Sequence, residues 1–209
     1  MKRLVLLGAG GHGKVVLDIA KLSGRYQQYV FLDDAHESIA ECAGIAVEAP
    51  LHCYADYLDS ETEFFVAMGS CAGRQQWLEI LQGANANVAT LIHPSAVVAD
   101  SARVASGVLI CAGAVVNPDT KIGFGVIVNT RASVDHDCVI GAFSHICPGV
   151  AIAGIVTIGA RCWIGIGASI IQLVSIADDC IIGAGAAVIQ STNVEQTLVG
   201  VPARPISKG

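Results

Sequence analysis

Charge is scarce in this chain. Asp, Glu, Lys and Arg make up only 14% of its 209 residues, whereas hydrophobic residues make up 53%. The formal net charge is −6, which disfavours nucleic acid as a partner because a face that binds phosphates is normally basic. So little charge predicts a protein that buries much of its surface or self-associates.

Long apolar runs and metal-binding cysteine patterns are also missing. No run reaches the roughly 20 residues of a membrane span, and the apolar start is too brief for a signal peptide. None of the eight cysteines has a CxxC or Cys/His spacing that indicates zinc. A bridge between Cys162 and Cys180 is sterically allowed, but buried free thiols are the favoured interpretation. We therefore expect a cytoplasmic protein without a metal or a membrane partner.

A strict period of six residues runs from Val98 to Val188. Every sixth residue in this stretch is Val or Ile, and the residue four positions after each of them is small or compact. Neither a helix nor an ordinary strand has this period, whereas a solenoid with six-residue sides does. Three sides would close a triangular coil of eighteen residues, with successive coils about 4.8 Å apart.

The N-terminal part predicts a nucleotide-binding unit. A short apolar strand leads into a glycine turn at residues 8–13 that fits G-x-G-x-x-G, followed by a helix over Lys14–Leu22. A second strand, Tyr29–Leu32, ends in Asp33 and Asp34. This order places a phosphate at a helix N-terminus and a ribose near a carboxylate.

A complete dinucleotide fold needs a second unit of the same kind. Only one more strand, Phe64–Met68, and one more helix, about Arg74–Leu81, are expected before the repeats begin. Half of the fold favours a mononucleotide or a nucleotide sugar over NAD.

Asp135, His136 and Asp137 are the strongest candidates for chemistry within the repeats. His136 is predicted to point outward near a corner, where the flanking acids would favour its imidazolium and suit a general base; the alternative is a solvated polar turn. His145 lies half a coil further on. The two histidines could converge only across an interface between chains, which also disfavours a metal site with three converging ligands.

Five motifs in order then indicate a family: residues 8–13, 31–34, 66–69, 134–146 and 200–203 read GAGGHG, FLDD, VAMG, VDHDCVIGAFSHI and GVPA. Together they resemble the sialic-acid O-acetyltransferase and nucleotide-4-aminosugar N-acetyltransferase group of the hexapeptide-repeat acyltransferases. The resemblance implies an α/β half-Rossmann domain over residues 1–88 and a left-handed parallel β-helix over 89–196. A tail would follow over 197–209.

The resemblance also implies roles for individual residues. His136 would be the catalytic base and Asp137, which stands where some relatives carry Glu, would be the acid that raises its basicity. The nucleotide-sugar would be held by Gly10, Gly11, His12, Asp33, Asp34 and Gly69. Acetyl-CoA, the co-substrate, would contact His145, Ile166 and Ala184, and relatives can carry Gly at the last position. The sites would lie between the subunits of a homotrimer.

The expected reaction is acetylation of the 4-amino group of a UDP- or dTDP-linked amino-deoxysugar, for a bacterial surface glycan or for protein glycosylation. Two alternatives remain open: an O-acetyltransferase acting on a sugar hydroxyl, and a non-catalytic trimeric scaffold that binds nucleotides. The sequence leaves the base and the stereochemistry of the sugar undetermined.

Overall fold

The computed structural model describes residues 1–206, and the chain divides into two compact units, one over Met1–Pro94 and one from Ser95 onward. The boundary expected from the sequence, after residue 88, stays a prediction. The segment Leu91–Ile92 packs against the first helix of the N-terminal unit, and Leu91 is fully buried. The last three residues of the predicted tail, 207–209, lie outside the described residues.

The first unit is an α/β sandwich. Its elements in order are β1 (Arg3–Leu7), α1 (Gly11–Leu22), β2 (Gln28–Leu32), β3 (Glu41–Cys42), β4 (Ile45–Ala49), a 3₁₀ helix (Leu51–Tyr57), β5 (Thr62–Val66), α2 (Cys71–Gly83) and β6 (Leu91–Ile92). The sheet has the order β3-β4-β2-β1-β5, in which only β3 runs antiparallel to its neighbour. Strand β1 lies between β2 and β5 and is an almost continuous apolar run, as expected of a strand covered on both faces.

The prediction of a single further strand in this unit was wrong. Strand β4 extends the parallel sheet beyond β2, and β3 pairs with β4 at the edge. The segment Ile45–Ala49 contains the charged Glu48 and is only partly buried, so it lacks the apolar run by which the other strands were recognised. Helix α2 begins three residues earlier than predicted because the Ser70 hydroxyl accepts a hydrogen bond from the Gly73 N–H at 3.3 Å.

The second unit is a parallel β-helix. Sixteen two-residue strands each end on one of the predicted large aliphatic residues: β7 (Val97–Val98), β8 (Arg103–Val104), β9 (Leu109–Ile110), β10 (Val115–Val116), β11 (Lys121–Ile122), β12 (Ile127–Val128), β13 (Ser133–Val134), β14 (Val139–Ile140), β15 (His145–Ile146), β16 (Ala151–Ile152), β17 (Thr157–Ile158), β18 (Trp163–Ile164), β19 (Ser169–Ile170), β20 (Ser175–Ile176), β21 (Ile181–Ile182) and β22 (Ala187–Val188). Strands β23 (Thr197–Val199) and β24 (Arg204–Ile206) follow.

Residues eighteen apart stack, as the sequence period predicts. Val116, for example, pairs with Val98 in the coil before it and with Val134 in the coil after it. The same parallel register repeats along all three sides. The predicted α/β unit followed by a parallel β-helix is therefore confirmed, while the left-handed sense of the coil stays a prediction from the family resemblance.

Some of the small inward positions of the coils are occupied by hydroxyl or thiol side chains that make hydrogen bonds to backbone carbonyl oxygens. The Thr120 and Ser144 hydroxyls donate to the carbonyl oxygens of Asp135 and Gly159 at 2.6 and 2.8 Å, and the Cys138 thiol donates to the carbonyl of Ala153 at 3.2 Å. All eight cysteines are free, which confirms the interpretation as thiols.

The C-terminal segment closes one end of the solenoid core. Strand β23 pairs in parallel with β21, and β24 folds back antiparallel on β23. Leu198 and Ala203, each 5% exposed, pack against the aliphatic core. The sequence left this tail unexplained because a hairpin-like cap does not continue the six-residue period.

Over residues 1–206, no helix is long and apolar enough to span a membrane.

Two adjacent isoleucines provide a matched test of the coil. Ile170 is 2% exposed and faces the axis, whereas Ile171 is 42% exposed. We expect Ile170→Ala to lower the free energy of unfolding by about 2–5 kcal/mol, because it removes packed methyl groups and leaves a cavity. Ile171→Ala should change it by no more than about 0.5 kcal/mol. Urea denaturation of both variants measures the difference, and equal losses would contradict the inward assignment.

Candidate active site

The turn between β13 and β14 presents His136 on the outside of the β-helix. Val134 and Cys138 on either side of it are fully buried, so the chain between them must turn a corner. Asp137 makes that corner with a φ of +56°, a left-handed conformation that Asp tolerates better than most residues. The predicted outward orientation is observed, because half of the His136 side chain is exposed.

Two carboxylates hold this histidine from different directions. Its Nδ1 lies 2.9 Å from Asp137 Oδ2, and its backbone N–H donates to Asp135 Oδ1 at 2.8 Å. The contact with Asp137 raises the pKa of His136, and the charge of Asp135 adds to this effect. When Nδ1 carries the proton that is shared with Asp137, the lone pair of Nε2 is left to accept a proton from a substrate.

Asp135 is itself held by the preceding coil. Asn117 lies eighteen residues earlier and donates its amide N–H to Asp135 Oδ1 at 2.9 Å. This bond and the His136 N–H lower the pKa of Asp135, so its carboxylate remains charged near neutral pH. Asn117 was not predicted from the sequence, although its spacing of one coil from Asp135 is a signal that could have indicated it.

His145, Ile166 and Ala184 are brought together on a different side of the same unit. They line one groove with a volume of about 370 Å³, whose other walls include Trp163 and Ile181. Ile166 and Ala184 stand one coil apart, as the sequence predicts. The groove is mostly apolar, and it is long enough along the stack to span residues of three successive coils.

The predicted contact residue His145 is almost fully buried in this groove wall. It is 5% exposed, its Nε2 lies 3.0 Å from the Asn129 amide nitrogen, and its ring packs edge-on against Trp163 with centroids 4.6 Å apart. Its ring is therefore fixed by neighbours in two adjacent coils. Asn129 was not recognised from the sequence, because nothing in an isolated Asn signals a partner sixteen residues away.

The predicted nucleotide residues gather at one edge of the first unit's sheet. Gly10, Gly11 and His12 follow β1 at the start of α1, Asp33 and Asp34 follow β2, and Gly69 follows β5. These three strands are adjacent and parallel, so their carboxyl ends meet at the edge where such sheets bind ligands. The glycine turn is tight, because a Cβ at Gly13 would lie 2.5 Å from the carbonyl oxygen of Gly8.

The two aspartates have different surroundings at this edge. Each oxygen of Asp33 accepts a hydrogen bond from a backbone N–H group, Oδ2 from Ala9 at 2.7 Å and Oδ1 from Ala35 at 2.9 Å. Asp34 is exposed and uses Oδ1 to accept the Leu51 N–H at 3.0 Å. Asp33 therefore shapes the glycine turn, whereas Asp34 has an exposed carboxylate with an oxygen to offer a ligand.

A fully buried arginine lies beneath the same edge. Arg74 donates from Nη1 to the carbonyl oxygens of Met68, Gly69 and Ser70, at 2.8, 3.0 and 3.2 Å. Burial, and then the charge of Arg74, lowers the pKa of His12 to about 4, so this imidazole is neutral near pH 7. Arg74 was predicted only as the start of a helix, and its hydrogen bonds to these three carbonyl oxygens were not predicted.

Among the side chains of residues 1–206, no three His, Cys, Asp or Glu residues come together in a way that could hold a metal ion.

The N-terminal part of the chain matches a known family model. Residues 3–81 match the family model described as the PglD N-terminal domain. A UDP-N-acetylbacillosamine N-acetyltransferase of Bacillus subtilis (strain 168) is 34% identical over 112 residues, which cover 53% of this chain and 51% of the relative. The match thus spans about half the length of that curated relative.

Solved structures match over almost the whole chain. The acetyltransferase domain of PglB from Neisseria gonorrhoeae FA1090 is 36% identical, with a TM-score of 0.95 over 99% of this chain and 100% of that one. A second structure of the same domain is a complex with acetyl coenzyme A. It is also 36% identical, with a TM-score of 0.94 over 98% of this chain and 99% of that one. PerB from Caulobacter crescentus, in complex with CoA and GDP-perosamine, is 34% identical, with a TM-score of 0.94 over 99% and 98% of the two chains.

Proposed function

This chain belongs to the nucleotide-aminosugar N-acetyltransferases, and we propose that it transfers the acetyl group of acetyl-CoA to the 4-amino group of a nucleotide-linked amino-deoxysugar. The observation that carries the proposal is the outward His136, whose pKa is raised by Asp137 and whose Nε2 is available to a substrate. The sugar would be a UDP- or dTDP-linked substrate, and the GDP-perosamine bound to PerB adds GDP to the nucleotides to be tested.

The geometry supports a direct transfer. His136 Nε2 accepts a proton from the amine as the amine nitrogen attacks the thioester carbonyl, so a C–N bond forms without a covalent enzyme intermediate. The tetrahedral intermediate then expels CoA thiolate, the C–S bond breaks, and the proton on His136 is available to the thiolate. Asp137 stabilises the imidazolium that exists between these steps, as it lies 2.9 Å from Nδ1.

The groove formed by His145, Ile166 and Ala184 is our candidate for the acetyl-CoA site. Its walls are mostly apolar and run along the coil stack, which suits the long, thin pantetheine arm of the co-substrate. Trp163 and Ile181 are partly exposed there, and their contact with a ligand would bury apolar surface.

The carboxyl edge of β1, β2 and β5 is our candidate for the nucleotide site. Gly10 and Gly11 leave open space at the start of α1, where a Cβ would meet nothing within 4 Å. Backbone N–H groups at a helix N-terminus suit a diphosphate, and the exposed Asp34 suits a ribose hydroxyl.

The free thiols support a cytoplasmic location.

The central test removes the proposed base. We expect His136→Ala to lower kcat by roughly 10²–10⁴, the usual contribution of a positioned general base, while the KM values of both substrates stay near wild type. Because the base must be neutral to act, the wild-type rate should rise with pH through the raised pKa of His136. Asp137→Asn should shift that rise to lower pH. Wild-type turnover by a folded His136→Ala enzyme would refute the assignment.

The two aspartates of the nucleotide edge should separate binding from structure. Asp34→Asn keeps an oxygen for the Leu51 N–H but removes the charge, so we expect the KM for the nucleotide sugar to rise about tenfold, with acetyl-CoA unaffected. Asp33→Asn deprives a backbone N–H of its acceptor and should instead lower the free energy of unfolding by about 1–3 kcal/mol. Equal weakening of both substrates by Asp34→Asn would show that this edge is not the nucleotide site.

The separation of the two histidines supports an assembly in which each site is shared between chains. His136 and the groove of His145 lie on different sides of one β-helix, so a shared site requires the groove of a second chain. We expect a homotrimer, and light scattering should give three times the chain mass of 21.5 kDa. A mass of 21.5 kDa at micromolar concentration would exclude a site shared between subunits.

A further inference from the structure

The imidazole of His136 lies directly against Gly154 in the next coil. A Cβ placed on Gly154 would be 2.6 Å from both Cε1 and Nε2 of His136, and 3.2 Å from its Cδ2. Contacts of a real Cβ below 3.0 Å essentially do not occur. The observed position of the ring is therefore compatible with glycine at residue 154 and with no other amino acid.

The register of the β-helix explains why these two residues meet. Gly154 is eighteen residues after His136, one full coil, and the backbone between the coils is held locally by the Ile155 N–H, which donates to the His136 carbonyl at 2.9 Å. The Gly154 carbonyl accepts in turn from the Leu173 N–H at 3.2 Å. The backbone around Gly154 is thus hydrogen-bonded to the coil before it and to the coil after it.

The His136 side chain, in contrast, can rotate away from a larger residue at position 154. It is half exposed, it rotates about two bonds, and the atoms that a Cβ would meet are at its far end. Gly154 has no positive φ that would by itself disfavour alanine. A methyl group at this position would therefore displace the ring and leave the coil intact.

Other glycines of the repeats serve a different purpose. A Cβ at Gly141 would lie 2.4 Å from the backbone carbon of Gly159, and a Cβ at Gly123 would lie 2.8 Å from the carbonyl oxygen of Ile140. These glycines allow successive coils to stack closely. At Gly154, the three nearest atoms all belong to the ring of the proposed base.

We propose that Gly154 is a positioning residue for the reaction: its missing side chain provides the space in which the His136 imidazole is held at hydrogen-bond distance from Asp137. The inference rests on the proposed role of His136 as the base. It adds that the orientation of the base is set by the coil above it as well as by the carboxylate beside it.

Gly154→Ala tests the proposal. Alanine keeps the backbone N–H of residue 154 and changes only the space in front of the ring. We expect kcat to fall by roughly tenfold to a hundredfold, since small displacements of a catalytic group are that costly, with the KM of both substrates nearly unchanged. The rise of the pH–rate profile should move to lower pH as the contact with Asp137 is lost, and the melting temperature should stay close to wild type.

Gly123→Ala is the matched control. Its Cβ meets backbone of the neighbouring coil instead of a side chain, so it should lower the melting temperature while the folded enzyme keeps the wild-type kcat and pH profile. The two variants together distinguish a loss of coil stability, seen in the melting temperature, from a displacement of the His136 ring, seen in kcat and the pH profile.

A double-mutant cycle with His136→Ala decides between the outcomes. If Gly154 acts through the ring, Gly154→Ala should have little further effect on kcat once the ring is gone. Equal losses in both backgrounds, a wild-type kcat and pH profile for Gly154→Ala, or failure of that variant to fold would each overturn the proposal. Full activity of His136→Ala would instead refute the proposed base, which distinguishes the two failures.

Discussion

Burial of one large and one small side chain in every six residues is the constraint on which the second unit depends. From Ile110 to Val188 the large inward residues are at most 2% exposed, and this register fixes where every other residue of the coil points. His136 is outward because Val134 and Cys138 are inward. The position of the proposed base therefore follows from the burial pattern of the core.

The same constraint brings together residues that are distant in sequence. Because coils stack every eighteen residues, contacts form between Asn117 and Asp135, between His136 and Gly154, and between His145 and Trp163. Each pair joins neighbouring coils without any loop inserted between them. A flat and repetitive scaffold thus provides a positioned base and, on another side, an apolar groove.

The sequence predicted the family and the fold because both are encoded in local patterns: the six-residue period and the glycine turn are visible without knowing any contact. It missed β4, whose partly exposed segment lacks an apolar run, and the cap formed by Leu198 and Ala203, which breaks the period. It also treated Asp33 and Asp34 alike. Their difference depends on which backbone N–H groups each carboxylate reaches, and such information exists only after folding.

The central claim is that this protein acetylates an amine on a nucleotide-linked sugar. Mass spectrometry after incubation with acetyl-CoA and a panel of UDP-, dTDP- and GDP-linked 4-amino sugars, each beside its 4-hydroxy counterpart, tests it most directly. We predict that one acetyl group is added to an amino sugar, with release of one CoA thiol, and that none is added to the hydroxy counterparts. Acetylation of the hydroxy sugars alone, or no turnover although a nucleotide sugar binds, would contradict the account.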